Sequence, residues 1–301
     1  MERPLEIVVA SGKGGTGKTT VSAFLLSFFS LSNYDAIGVD ADVEAPDLII
    51  ALGKYKEIGK EEVIDSPIAT INYNRCVSCG ECLNACQFGA IEWMSKPVII
   101  SELCEGCGVC EVVCRYGAVK YSYVKTGDII IQDTKYGLVI MGQLEIGRKH
   151  SGKLVEMLKE RARKYTKNNS IIIVDAAAGT GCPVISSIVG SDYLIIVVEP
   201  TRQSIRTASK VIEIGRHFKV KIGIVVNKWD LNPDFKAKIE AWADEKKVEV
   251  LGYIPYDKSV IEAYVNMSNL LDFAPKSKAT EALINIYENL VDVLRREGYL
   301  K

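Results

Sequence analysis

A short apolar run, Leu5-Glu6-Ile7-Val8-Val9-Ala10, leads at once into Gly12-Lys13-Gly14-Gly15-Thr16-Gly17-Lys18-Thr19, and the stretch Val21 to Phe29 then resumes with helical apolar spacing. Few local patterns restrict a chain more. The octapeptide fits G-x-x-x-x-G-K-[ST], a turn whose glycines let successive backbone amides close on a phosphate, and the motif requires a strand before it and a helix after it. Both flanks are present. In such a loop Lys18 reaches the outer phosphates and Thr19 holds magnesium, with Thr20 next along the helix.

Further apolar runs of strand length occur at Ala36 to Asp40, Leu138 to Leu144, Ile171 to Asp175, Leu194 to Val198, Ile222 to Asn227 and Val250 to Ile254. Between the later ones lie the helical stretches Lys153 to Tyr165, Gln203 to Phe218 and Pro233 to Glu245. Strands that are apolar nearly throughout and alternate with helices predict an α/β fold with a mostly parallel, doubly wound sheet covered on both faces. With 301 residues, 48% of them hydrophobic, the chain has room for one such domain and a small module. Its 37 lysines and arginines nearly cancel its 38 aspartates and glutamates, so neither nucleic acid nor an acidic membrane is an expected partner. No apolar run reaches the length of a membrane span, and Met1-Glu2-Arg3-Pro4 enters the first strand without a signal-peptide core; the expected location is the cytoplasm. Ala279 to Glu297 sets Leu283, Ile286, Tyr287, Leu290 and Leu294 on one helical face. Its other face carries Glu281, Glu288, Asp292 and Glu297, which suits docking on the sheet better than lying on a bilayer.

The alternation breaks once, between about Ser66 and Lys125, and eight of the nine cysteines fall there. They form two copies of C-x2-C-x2-C-x3-C: Cys76, Cys79, Cys82, Cys86 and Cys104, Cys107, Cys110, Cys114. The copies also agree outside the cysteines, pairing Gly80 with Gly108, Gly89 with Gly117, Ala90 with Ala118, Ile91 with Val119 and Trp93 with Tyr121. This is an internal repeat. Disulfides are rare in a reducing compartment, and zinc, which takes Cys-x2-Cys pairs, would leave the third cysteine of each run unexplained. The run resembles that of bacterial ferredoxins, which wraps 4Fe-4S clusters and sends its fourth cysteine to the other cluster. That resemblance implies one cluster on Cys76, Cys79, Cys82 and Cys114 and another on Cys104, Cys107, Cys110 and Cys86. The proline usual after the fourth cysteine is replaced by Gln87 and Arg115; Arg115 either raises the potential of a nearby cluster or points to solvent. The expected organisation is an inserted ferredoxin-type α+β module at residues 66–124 within an ATPase-type domain at 1–65 and 125–301.

The loop's second lysine, in Lys13-Gly14-Gly15-Thr16-Gly17-Lys18-Thr19, resembles the deviant phosphate loop of MinD-type ATPases, a group that includes ParA-type partition proteins, Mrp-type cluster carriers and the nitrogenase iron protein. Asp40-Ala41-Asp42 stands where that family places the aspartates of its first switch, and Asp175, ending Ile171-Ile172-Ile173-Val174, resembles its Walker B and second-switch aspartate. The likeness implies that Lys13, Lys18, Asp40, Asp42 and Asp175 serve hydrolysis and that Thr19 and Asp40 hold Mg2+. It also implies that Gly12 through Thr20, with Asn227 and Pro255, bind the nucleotide. Ala176-Ala177-Ala178 departs from the usual prolines after the aspartate. Asn227-Lys228-Trp229-Asp230 can be read as the N-K-x-D guanine reader, but the resemblance favours ATP. Family members deliver the first lysine across a dimer interface, so Lys13 implies a nucleotide-dependent homodimer; the alternative is a solvated surface lysine. Cys182 lies seven residues beyond Asp175, near where the nitrogenase iron protein has a cluster-bridging cysteine, yet two copies supply only two ligands; a buried or merely exposed thiol is expected.

The expected cofactors are therefore ATP, Mg2+ and two 4Fe-4S clusters. The leading expectation is an ATPase that couples nucleotide-driven switching to electron transfer with a redox partner. The others are a cluster carrier serving an acceptor protein and a positioning switch with structural or redox-sensing clusters.

Overall fold

The computed structural model describes residues 3–167 and 169–300; Met1 and Glu2 of the N-terminal reading lie outside them. The chain divides into two compact units. The larger takes in Met1–Lys60, Ile129–Gln143 and Ser151–Lys301, the smaller Glu61–Asp128 and Leu144–His150.

In the larger unit β1 (Leu5–Ser11) passes through the glycine loop into α1 (Lys18–Leu31), followed by β2 (Asp35–Ala41) and α2 (Leu48–Leu52). β3 (Tyr55–Ile71) then runs on into the smaller unit. There the repeat gives α3 (Glu81–Ala85), β4 (Ile91–Trp93), β5 (Pro97–Ile99) and α4 (Val109–Val113), and β6 (Val119–Thr134) leads out. The larger unit continues with β7 (Gly137–Leu144), α5 (Ser151–Arg163), β8 (Ser170–Ala178), α6 (Cys182–Ile188), β9 (Tyr193–Val198), α7 (Arg202–His217) and β10 (Lys221–Asn227). It ends with α8 (Lys236–Glu245), β11 (Glu249–Ile254), α9 (Lys258–Val265), α10 (Leu270–Phe273) and α11 (Lys278–Arg296).

Nine strands form one sheet in the order β11-β10-β9-β1-β8-β2-β7-β6-β3. The pairings from β11 through β7 are all parallel. Alternate residues of these strands point to opposite faces. Leu5, Ile7, Val9, Ile171, Ile173, Ile195 and Val197 share a core with Val21, Phe24, Leu25 and Phe29 of α1 and with Leu283, Ile286, Leu290 and Leu294 of α11. The alternate set, Val8, Ile172, Val174, Leu194 and Ile196, is also fully buried, which is why these runs are apolar at every position. The acidic C-terminal segment is therefore a core helix, its apolar stripe closed against the sheet. β3 was not foreseen over residues 55–65. It is an edge strand, at the opposite side of the sheet from β11, and its first half, Tyr-Lys-Glu-Ile-Gly-Lys-Glu-Glu, is almost entirely exposed. A charged, solvated edge carries no burial alternation and resists pairing with other chains.

In the smaller unit β4 and β5 pair antiparallel, Ile91 opposite Ile99, and Ala69, Cys82, Ile91, Cys110 and Val119 make a core of their own. α3 and α4 each begin behind a left-handed glycine, Gly80 at φ 81° and Gly108 at φ 93°. The sequence repeat is thus a repeat of backbone conformation.

Candidate functional site

The C-terminal ends of the parallel strands gather the residues of the phosphate motif, the usual place for a ligand in an open α/β sheet. The loop of residues 12–17 turns through left-handed backbone at Gly15 (φ 75°) and Gly17 (φ 92°), where a side chain would be strained. Gly12 is needed for a different reason: a Cβ there would stand 2.3 Å from Cβ of Thr207 on α7. Lys18, the first residue of α1, is buried despite its charge, and the Thr16 hydroxyl is buried without a partner. Such groups suit a site that takes an anionic ligand.

Register explains the acidic side of the site. Val9 lies beside Asp175 across β1 and β8, and Asp175 lies directly opposite Asp40 across β8 and β2. The two carboxylates therefore stand on neighbouring strands, both fully buried. The Thr19 hydroxyl approaches Asp175 Oδ2 at 2.8 Å and Asp47 Oδ1 at 3.0 Å; with one proton it donates to one of them at a time. Ser22 donates to Asp175 Oδ1 at 2.8 Å, and Tyr264 donates its hydroxyl to Asp47 Oδ2 at 2.9 Å. Asp40 instead accepts backbone amides, from Leu48 at 2.8 Å and Asp42 at 3.2 Å. Burial, followed by the charge of Asp175, pushes the Asp40 carboxyl well above the usual range. Burial raises Asp175 to about 6, against the opposing pull of Lys18 and the hydroxyls of Ser22 and Thr19. Asp42, half-buried just beyond β2, is also raised by burial, with Lys18 opposing.

The opposite side of the loop is braced by cations. Glu199, at the end of β9, accepts Lys13 Nζ at 2.5 Å on Oε2 and Lys228 Nζ at 2.8 Å on Oε1. Lys228 also donates to Gly15 O at 3.0 Å, from a left-handed backbone at φ 54°. Asn227 Nδ2 donates to Thr16 O at 2.8 Å, so this residue holds the loop. Asp230 accepts the Tyr256 amide at 2.6 Å, and Pro255 lies just before it, directly after β11. Asp47, Glu199 and Tyr264 escaped sequence reasoning as site residues, and Lys228 entered it only within the N-K-x-D reading. For Glu199 a signal existed, an acidic residue directly after a strand at the loop end of the sheet, whereas Asp47 stands six residues beyond β2, at the start of α2.

The thiols of the smaller unit divide between two cavities, each with about 350 Å³ of space including some open to solvent. Cys76, Cys79, Cys82 and Cys114 line one; Cys86, Cys104, Cys107 and Cys110 line the other. The two are matched in detail. Cys82 and Cys110 are buried, Cys79 and Cys107 exposed, and the fourth sulfurs accept equivalent amides, Cys86 from Ala90 at 3.4 Å and Cys114 from Ala118 at 3.3 Å. Among the described residues no group of three or more His, Cys, Asp or Glu side chains forms a site for a metal ion. Thiolates that each take a different iron of a cluster stand farther apart than ligands converging on one ion. Burial raises the thiols of Cys82 and Cys110. Arg115 points to solvent, 3.8 Å from Glu81, and Cys182 is exposed at the start of α6.

A strand, a glycine loop at the helix N-terminus and buried aspartates on the adjacent strands define an α/β P-loop nucleotide hydrolase. The sequence profile of the CobQ/CobB/MinD/ParA nucleotide binding domain matches residues 7–270, and the chain belongs to that family of ATPases. It is 35% identical to the uncharacterized protein MJ0578 of Methanocaldococcus jannaschii over 293 residues, 96% of this chain and 98% of that one. Over 42 residues, 14% of this chain and 13% of the relative, it is 52% identical to the iron-sulfur cluster carrier protein of Rickettsia typhi. Its fold is similar to the septum site-determining protein MinD of Pyrococcus horikoshii, solved with Mg-ADP, at a TM-score of 0.61 and 18% identity, covering 99% of this chain and 100% of that one. Among the described residues no helix is long and apolar enough to cross a membrane.

Proposed function

We propose that this ATPase carries two 4Fe-4S clusters in a ferredoxin-type module at residues 66–124 and couples its nucleotide state to electron transfer. The observation that carries the reading is the sorting of the eight thiols: each cavity takes three cysteines of one run and the fourth of the other. This is the exchange that ferredoxin ligation requires. Cys76, Cys79, Cys82 and Cys114 would hold one cluster and Cys104, Cys107, Cys110 and Cys86 the other, and the bound clusters supply one-electron exchange. The two buried thiols and the apolar core behind them favour retention.

At the nucleotide site the amides of residues 12–20 bind the phosphates of ATP, and Lys18 balances charge on the γ-phosphate. Thr19 and Asp40 would hold Mg2+, with Asp47 and Asp175 beside the threonine hydroxyl. Magnesium keeps much of its water and takes few carboxylates, so a complete protein cage is not required. Asp42 orders the attacking water. Lys13 acts on a second protomer's phosphates in a nucleotide-dependent dimer, and Asn227 and Pro255 flank the adenine.

Anaerobically purified protein is expected to contain about eight iron and eight acid-labile sulfide per chain; stoichiometric zinc with almost no sulfide would remove the cluster assignment. The short match to a cluster carrier favours a second reading, in which the clusters are cargo. Incubation with a thiol-bearing apo-acceptor separates the two. Relay clusters stay with the chain, and cargo clusters move.

A further inference from the structure

The two cysteine cavities come from one repeat, yet they are not chemically equal. Gly80 and Gly108 hold equivalent places ahead of α3 and α4, and each faces the aromatic ring of an equivalent residue. A Cβ on Gly80 would stand 3.9 Å from Cζ3 of Trp93, whereas one on Gly108 would stand 3.6 Å from the hydroxyl of Tyr121. One ring turns a carbon edge toward its helix start, the other an O–H. Tyr121 lines the second cavity together with Cys86, Cys104, Cys107 and Cys110; Trp93 is not among the residues lining the first and is 48% exposed.

The hydroxyl is also unusual in its own right. The ring packs against the apolar cluster of Ala69, Cys82, Ile91, Cys110 and Val119, and the buried oxygen meets no acceptor in ordinary hydrogen-bond geometry, its interacting neighbour being the thiol of Cys110. Native chains rarely leave a buried hydroxyl without a well-formed hydrogen bond, and one directed at cysteine sulfur suits an acceptor on a sulfur-bearing ligand in the same cavity. The groups that bear on it electrostatically are the thiols of Cys110, Cys107 and Cys104, so the acceptors it faces are sulfurs.

Resting on the cluster reading above, we propose that Tyr121 donates an O–H···S hydrogen bond to the sulfur face of the cluster held by Cys86, Cys104, Cys107 and Cys110, and that this bond sets the second site at the higher potential. Reduction adds one negative charge that is shared by the sulfurs, and a hydrogen bond to a more negative acceptor is stronger. The donor therefore stabilises the reduced state more than the oxidised one, and the potential rises. The step moves one electron and no proton: the first site is oxidised, the second is reduced, and Tyr121 keeps its hydrogen. An electron entering the module comes to rest at the second site.

The test is a redox titration of the anaerobically purified full chain with dithionite, followed by electron paramagnetic resonance and accompanied by iron and sulfide analysis. Wild-type protein is expected to show two midpoints. Tyr121→Phe is expected to lower only the upper one, changing the oxidised-to-reduced ratio at fixed potential about tenfold, ~59 mV for one electron, at unchanged iron content. Trp93→Phe is expected to leave both midpoints in place. Because Tyr121→Phe could disturb cluster loading, site-specific 3-fluorotyrosine at position 121 supplies a second arm: its more acidic hydroxyl donates more strongly and is expected to raise the same midpoint. Fully loaded Tyr121→Phe protein with unshifted midpoints, or with both shifted equally, overturns the hydrogen bond. Wild-type protein without iron and sulfide overturns the cluster reading itself, which is a different failure.

Discussion

Asp175 is unfavourable for the fold, yet it stands at the centre of the proposed site. Its carboxyl is fully buried and raised to about 6 from an ordinary 3.8, with Asp40 opposite it on the next strand. A folded-state value above the unfolded one means that the native chain binds the extra proton between those two pH values. The contribution of this group is therefore greatest below pH 3.8, declines as the pH rises through 6, and is flat above. Without nucleotide or magnesium, Asp175→Asn is expected to be more stable than wild type at pH 7, with the advantage vanishing toward pH 4, while hydrolysis is lost. Urea midpoints at the two pH values check this, and a variant less stable than wild type at pH 7 would contradict it. The two lysines of the loop should also separate. Lys18→Ala is expected to abolish tight nucleotide binding, whereas Lys13→Ala leaves binding largely intact and slows turnover; calorimetric titration beside an ATPase assay measures both, and equal loss of binding would remove the case for a lysine acting in trans. Lys18, Thr19 and Asp175 were legible in the sequence because each sits at a fixed offset from a strand or loop that announces itself. Asp47 was not, and Glu199 showed only as an acidic residue after a strand, because their partners Tyr264, Lys13 and Lys228 are brought to them only by the packed fold.

Among the elements, those with a strong period were readable and those without one were not. α11 declared itself through its apolar stripe, and its buried Leu290 lies in the same core as β1. Leu290→Ala is expected to cost about 2–5 kcal/mol through the lost transfer energy and the cavity left behind. The exposed Glu288→Ala on the same helix should stay within about 0.5 kcal/mol of wild type. Thermal or denaturant unfolding of the pair measures the contrast, and equal effects would mean that the helix is not docked. β3 went unseen because its first half is solvated on both faces, and the lysines and glutamates that hide it from pattern reading also protect the sheet edge. The five-residue helices α3 and α4 were equally silent as helices, being too short for a period; the glycines and cysteines around them carried the signal.

For the molecule as a whole, the proposed coupling has a thermodynamic signature. If nucleotide state and cluster reduction influence each other, ATP and ADP are expected to give different midpoints for at least one cluster. A difference of about 30 mV per electron corresponds to roughly 0.7 kcal/mol, and reduction must then alter nucleotide affinity by the same free energy. Titrations with no nucleotide, ADP or a slowly hydrolysed ATP analogue check this; superimposable curves would favour the carrier or scaffold reading. The carboxylate of Glu199 bears on how such a molecule changes state. It is largely buried and lies between two ammonium groups, of which Lys228 is also tethered to the loop carbonyl of Gly15. A buried charge that loses its only counterion is heavily penalised. In the proposed dimer, the two counterions would let Glu199 release Lys13 toward another protomer and stay neutralised by Lys228, so the resting hold on Lys13 would work as a relay baton with a second hand already on it.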